Sequence, residues 1–93
     1  NSLGVTVKEV ASIGARAVIL AGVTIGQWAL IGAGSVVIND IPDHALCVGN
    51  PCRQIGWVGK AGIRLKKTKN LWVCENTEEK YEETRQGLVL VDA

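Results

Sequence analysis

Residues 7–37 read VKEVASIGARAVILAGVTIGQWALIGAGSVV. One phase of this stretch returns an aliphatic side chain every six positions without a miss: Val7, Ile13, Ile19, Ile25, Ile31 and Val37. Glycine follows three of them, at Gly14, Gly26 and Gly32, and four positions after the first five stands a small residue, Ala11, Ala17, Val23, Ala29 and Ser35. A helix buries positions about 3.6 residues apart and a simple strand positions about two apart. Six is a multiple of two, so each hexad reads as one short strand followed by a corner. Three hexads then close a triangular coil, and the next coil stacks about 4.8 Å above it, the usual strand-to-strand spacing. On this reading Val7 lies under Ile25, Ile13 under Ile31 and Ile19 under Val37. The aliphatic and small side chains share the inside of a tight prism, where larger ones would overpack it. Glycine after the aliphatic residue suits a corner that needs a positive φ. An antiparallel meander would also give period two. It gives no reason for the large inward residue to come only at every third alternation, whereas a hexapeptide coil explains both.

Ninety-three residues form one small domain. Hydrophobic residues make up 47% of the chain, yet there is no Phe or Met, so the core must come from β-branched and small side chains that favour strands. No apolar run approaches the ~18 residues of a membrane span. The chain opens within the repeat phase and without Met, which reads as the C-terminal part of a longer protein. Its first coil has no visible cap, so further chain or a partner subunit is expected to cover it.

The net charge of +1 is unevenly spread. From His44 to Cys74 there is no acidic residue, while Arg53, Lys60, Arg64, Lys66, Lys67 and Lys69 are basic; Glu75, Glu78, Glu79, Glu82 and Glu83 follow. The basic stretch suits a polyphosphate ligand, or the two halves pair with each other. Few aromatics and no nucleic-acid motif argue against DNA or RNA as a partner. Cys47, Cys52 and Cys74 form no C-x-x-C pair, and their odd number speaks against a disulfide framework and for a reducing cytoplasm. With a single histidine and scattered thiols, no metal is expected.

The repeat occupies residues 1–42 and is broken at Asn39-Asp40-Ile41-Pro42-Asp43, where Pro42 cannot donate to a ladder and Asp favours turns. Residues 43–56 read as an extended return segment with a turn at Gly49-Asn50-Pro51, and Gly56 to Gly62 as a loop. Leu71–Cys74, Glu79–Glu83 and Leu88–Val91 read as three short strands of a small meander, the acidic one having a helical alternative. The domain division is 1–55 for the repeat with its capping turn and 56–93 for a C-terminal extension. Trp28 stands on the outside of the prism, to be covered by a neighbouring subunit or by the tail, and Trp57 and Trp72 anchor the tail.

Ile31-Gly32-Ala33-Gly34-Ser35-Val36-Val37, Asp40-Ile41-Pro42 and Gly49-Asn50-Pro51-Cys52-Arg53 together resemble a hexapeptide-repeat acyltransferase. The resemblance implies an all-β fold, a left-handed parallel β-helix with a C-terminal loop and meander. It also implies a homotrimer that binds acetyl-CoA in clefts between subunits. The block Gly49 to Val58, with Cys74-Glu75 and Tyr81, is similar to N-acetyltransferases that modify UDP-2-acetamido-3-amino-2,3-dideoxy-glucuronate in bacterial surface polysaccharide biosynthesis. A nucleotide sugar is then the acceptor.

Acetyl transfer to an amine needs an extended cofactor, a neutral amine and a donor for the developing oxyanion. Carried over residue by residue, the resemblance places the pantetheine arm against the backbone of Ala15 and Ala33. It places the nucleotide end near Ile38 and Asn39, where the family often has Thr-Lys, and near Pro51, Cys52 and Arg53, with Arg53 meeting phosphate or adenine. The family's catalytic histidine falls upstream of residue 1. His44 reads as a loop residue, so no catalytic residue is assigned within the chain, and the chain alone is expected to be inactive. The alternative is a structural or trimerisation module that keeps the prism without catalysis. A zinc carbonic anhydrase on this fold needs several histidines, and only one is present.

Overall fold

A computed structural model of the chain describes residues 4–92. Six two-residue strands occupy the repeat: β1 Thr6–Val7, β2 Ser12–Ile13, β3 Val18–Ile19, β4 Thr24–Ile25, β5 Leu30–Ile31 and β6 Val36–Val37. They pair in parallel, β1 with β4, β2 with β5 and β3 with β6. The registers are Val7↔Ile25, Ile13↔Ile31 and Ile19↔Val37, each an offset of one 18-residue coil. The three faces of the prism therefore close as the period requires. Each strand is too short to stand alone; it exists because its N–H groups find the carbonyls of the next coil, as Thr6 N–H donates to Val23 O at 3.1 Å and Gly14 N–H to Ile31 O at 2.8 Å.

The inward aliphatics divide by level. Ile25, Ile31 and Val37 are sealed, with Ala29 and Ser35 beside them, while Val7 and Ile13 beneath keep 47% and 39% of their surface exposed. The first coil thus presents an apolar face at one end of the prism.

The corners differ from the sequence expectation in an instructive way. Gly14, Gly26 and Gly32 do not take positive φ. The left-handed residue comes two positions later, at Val10, Arg16, Gly22, Trp28 and Gly34, with φ of 58°, 62°, 88°, 62° and 72°. The three glycines serve instead for close approach: a Cβ on Gly14 would fall on the Ala33 amide nitrogen, and one on Gly26 would lie 2.5 Å from Asp43 N. Three of the five left-handed positions carry side chains, each costing about 1 kcal/mol or more that the surrounding ladder must offset.

The third level is shorter. Ile25 bridges Ile41, and β7 (Ala45–Val48) pairs in parallel with β5 as Ile31↔Cys47, both offsets of 16 residues. The shortening falls between Val37 and Ile41, the corner that holds Ile38 and Asn39. Two aspartates take over bonds there: Asp40 Oδ1 accepts from Thr24 N–H at 2.8 Å and Asp43 Oδ1 from Gln27 N–H at 3.0 Å. Segment 43–56 is accordingly not all a return segment. Its first half continues the prism. The chain reverses at Gly49 to Cys52, through a cis Asn50-Pro51 bond, into β8 (Arg53–Trp57), which is antiparallel to β7.

Beyond β8 come β9 (Lys66–Thr68), β10 (Leu71–Val73), β11 (Lys80–Thr84) and β12 (Gly87–Asp92), an antiparallel sheet in the order β12-β11-β10-β9. The expected meander is present, its acidic member a strand, with β9 added at its edge. Among the described residues there is no helix, so none is long and apolar enough to cross a membrane. The sheet docks through Gly87, which bridges Asp43; a Cβ on Gly87 would fall on the Asp43 backbone. Tyr81, Cys74, Leu65 and Leu88 extend the prism core into this layer, and Trp57 meets Trp72 with ring centroids 6.4 Å apart, as expected of tail anchors. Trp28, expected to be covered by a neighbouring subunit or by the tail, is half-buried against His44 and the Lys60 side chain. Lys66 of β9 pairs with Glu75 at 3.3 Å, one link between the basic and acidic halves.

Gly14→Ala and Gly87→Ala should each lower stability by about 1–3 kcal/mol, because a methyl group would have to displace backbone. Urea or thermal unfolding measures this, and an unchanged midpoint for both would contradict the close-approach role.

Candidate functional site

Ala15 and Ala33 lie on one corner, one above the other. Gly34 N–H donates to Ala15 O at 2.8 Å, and β2 and β5 enter that corner in register. Both alanines are exposed. Directly after Ala33, Gly34 has open space where a Cβ would stand. A column of side chains no larger than methyl, flanked by open space, fits a long thin ligand that bonds to backbone. The turn from Gly49 to Cys52 caps the same edge: Gly49 N–H donates to Ser35 Oγ at 3.1 Å, Val36 N–H to Gly49 O at 2.9 Å, and Cys52 N–H to Val36 O at 2.7 Å.

On the other side of that turn lies a cavity of about 270 Å³ lined by Ile38, Asn39, Pro42, Cys47, Cys52 and Gln54, among others. Ile38, Asn39 and Cys52 thus line one cavity, whereas the exposed Pro51 and Arg53 and the corner of Ala15 and Ala33 do not line it. The two cysteines there are free thiols, and burial together with the Cys52 thiol pushes Cys47 up to about 12. Cys47 is thus a protonated core residue, and Cys52 is the half-buried thiol of the pair. Among the described residues no cluster of three or more His, Cys, Asp or Glu side chains is placed to hold a metal.

His44 lies in the turn before β7, as expected of a loop residue, but it is buried there. It is 4% exposed, in a left-handed conformation with φ of 66°, and stands above Trp28 on a different corner from Ala15 and Ala33. Its Nδ1–H donates to Val58 O at 2.8 Å. Burial holds its pKa below the ordinary histidine value, opposed by the Val58 bond and by nearby Asp43 and Glu79, and reinforced by Lys60. The ring is therefore mainly neutral at pH 7 with its lone pair on Nε2. A solitary histidine after a Pro-Asp turn gave no sign of this; its surroundings come from Trp28, Val58 and Tyr81, which only the tertiary fold assembles.

Residues 4–39 match the family model described as bacterial transferase hexapeptide (six repeats). The chain is 54% identical over 69 residues to the dTDP-3-amino-3,6-dideoxy-alpha-D-galactopyranose 3-N-acetyltransferase of Aneurinibacillus thermoaerophilus, covering 74% of this chain and 36% of that protein. Among solved structures it resembles PerB from Caulobacter crescentus in complex with CoA and GDP-perosamine, at 45% identity and TM-score 0.56, covering 57% of this chain and 26% of that one. It also resembles a galactoside acetyltransferase in complex with coenzyme A, at 42% identity and TM-score 0.58, covering 61% and 28%. The chain thus spans about a third of the length of the first of these relatives.

The lowered His44 pKa fixes a sign. The unfolded chain binds a proton there more readily than the folded one, so stability is fully present above about pH 6.5 and falls as pH drops through the folded-state value. His44→Asn, which tolerates the left-handed backbone, should flatten that decline in unfolding measurements between pH 7 and 5; an unchanged slope would exclude His44 as its source. Cys47 and Tyr81, both pushed up to about 12, act at the other end, so stability should also fall as pH rises past the unfolded thiol value near 8.5.

Proposed function

We propose that this chain is the cofactor-binding part of an acetyl-CoA-dependent N-acetyltransferase that acts on a nucleotide-linked amino sugar. The observation that carries the reading is the Ala15–Ala33 column: two stacked, exposed methyl side chains beside a capping turn, in a prism whose relatives are named acetyltransferases. The finer parts of the reading are a left-handed coil, a UDP-linked amino-uronate as acceptor, surface-polysaccharide biosynthesis in the cytoplasm, and a homotrimer. The coil's hand and the trimer rest on the resemblance at Ile31–Val37, Asp40–Pro42 and Gly49–Arg53, and the acceptor and pathway on Gly49 to Val58 with Cys74-Glu75 and Tyr81. The division into 1–55 and 56–93 belongs to the same reading, with β8 carrying the chain from one part to the other.

In this assignment the backbone of Ala15 and Ala33 holds the pantetheine arm. Ile38, Asn39, Pro51 and Cys52 shape the nucleotide end, and the exposed Arg53 guanidinium meets phosphate. Bound acetyl-CoA supplies the thioester; the residues of this chain orient it and keep its length extended along the coil. Ile38 and Asn39 bring neither a hydroxyl nor a cation to the nucleotide end, which leaves Arg53 as the charged contact. A second reading, a structural or trimerisation module without catalysis, is favoured by that same Ile38-Asn39 corner and by its shortening to a 16-residue offset.

CoA should raise the unfolding temperature, since a ligand that binds only the folded state must stabilise it. Arg53→Ala should weaken CoA binding by about 1–3 kcal/mol in calorimetry, the scale of a charge-assisted contact. No thermal protection at millimolar CoA would leave the structural module as the better reading; protection with unchanged Arg53→Ala affinity would remove Arg53 from the site.

A further inference from the structure

We propose that Cys47 and Cys52 form a thiol–disulfide pair, a modification site that a low-molecular-weight disulfide such as glutathione disulfide oxidises through the cavity beside Ile38 and Asn39. The antiparallel register of β7 on β8, Cys47↔Gln54 and Val48↔Arg53, places Cys52 just past the last pair. Side chains alternate across such a ribbon, so Cys47, Gln54 and Cys52 fall on one face. All three line the cavity of about 270 Å³. Both thiols are free, and a hydrogen bond between their side chains marks them as neighbours. The turn that separates them is fixed at both ends: Gly49 N–H donates to Ser35 Oγ and Cys52 N–H to Val36 O.

The two sulfurs are unequal, and that sets the order of events. Cys52 is half-buried and faces the cavity, whereas Cys47 is 2% exposed. The Cys52 thiolate therefore attacks glutathione disulfide first. The S–S bond of glutathione disulfide breaks, one glutathione leaves as thiolate and takes up a proton, and Cys52 carries the other in a mixed disulfide. Cys47 then gives its proton to solvent and attacks Cys52 Sγ, and the second glutathione leaves as thiolate and is protonated. The two cysteines lose two electrons, and one glutathione disulfide becomes two molecules of glutathione.

Cys47 starts as a poor nucleophile, because burial and the Cys52 thiol both hold it protonated. Capping Cys52 removes the second of these influences, while the Val48 backbone continues to favour the thiolate. The first exchange thus prepares the second. Cys74 is an internal control: it is sealed in the meander layer and does not line the cavity.

The site is independent of acetyl transfer, and its test uses no CoA. The purified chain is equilibrated with mixtures of reduced and oxidised glutathione, remaining thiols are trapped with N-ethylmaleimide in denaturant, and the tryptic peptides are weighed. Peptide 17–53 carries both cysteines. In oxidised glutathione it should lose two hydrogens and take no label, and excess reduced glutathione should restore both thiols. Cys74 should take the label throughout. Cys47→Ser should stop at one glutathione on Cys52, and Cys52→Ser should leave Cys47 a thiol. The wild-type chain decides the matter whether or not the variants fold. Two labelled thiols in oxidised glutathione, glutathione retained on Cys52, or oxidation of Cys74 in their place would overturn the proposal.

Discussion

The fold depends on one constraint: every coil must lie within hydrogen-bonding distance of the next on all three faces. Two-residue strands have no stability of their own, and their backbone groups are satisfied mainly by the coils above and below. That requirement sets the 18-residue offset. It forces glycine at Gly14, Gly26 and Gly32, and it holds Val10, Arg16 and Trp28 in left-handed backbone that none of them would choose alone. Corner strain and interior packing are two sides of the same tightness, since only small and β-branched side chains fit the triangle it encloses.

The same constraint explains where the alanine corner and the His44 seam lie. Where the coils stay in 18-residue register, the corner of Ala15 and Ala33 stacks one small residue above another. Where the register contracts to 16, the chain can no longer satisfy every group by ladder alone, and Asp40 and Asp43 supply oxygens to Thr24 and Gln27. The contraction also ends the stack: β8 runs antiparallel over β7, and the meander docks at Asp43 through Gly87. His44 and Trp28 come together at this seam, with Lys60 brought in by the loop after β8.

The prism was legible because its signal is a strict period in the sequence, and the registers from Val7↔Ile25 to Ile19↔Val37 follow from it directly. Corner chemistry was less so. Glycine after the aliphatic residue suggested positive φ, but a close approach and a left-handed turn leave the same mark in a sequence, and the structure uses the former. Strand β9 was missed because Lys66, Lys67 and Thr68 are all exposed and show no alternation, as suits an edge strand guarded by lysine. Of the candidate site, the stacking of Ala15 with Ala33 followed from period alone. The setting of His44 did not, because Trp28, Val58 and Tyr81 are distant in sequence and meet only after the tail has folded back.

A coil of fixed length makes the groove along the alanine corner quantised. Its height changes by whole coils of about 4.8 Å, while a single corner can lose two residues, as between Val37 and Ile41, and keep its inward side chains inward because the change is even. The length of that edge is thus set by whole storeys, and its corners adjust by pairs of residues rather than by single ones.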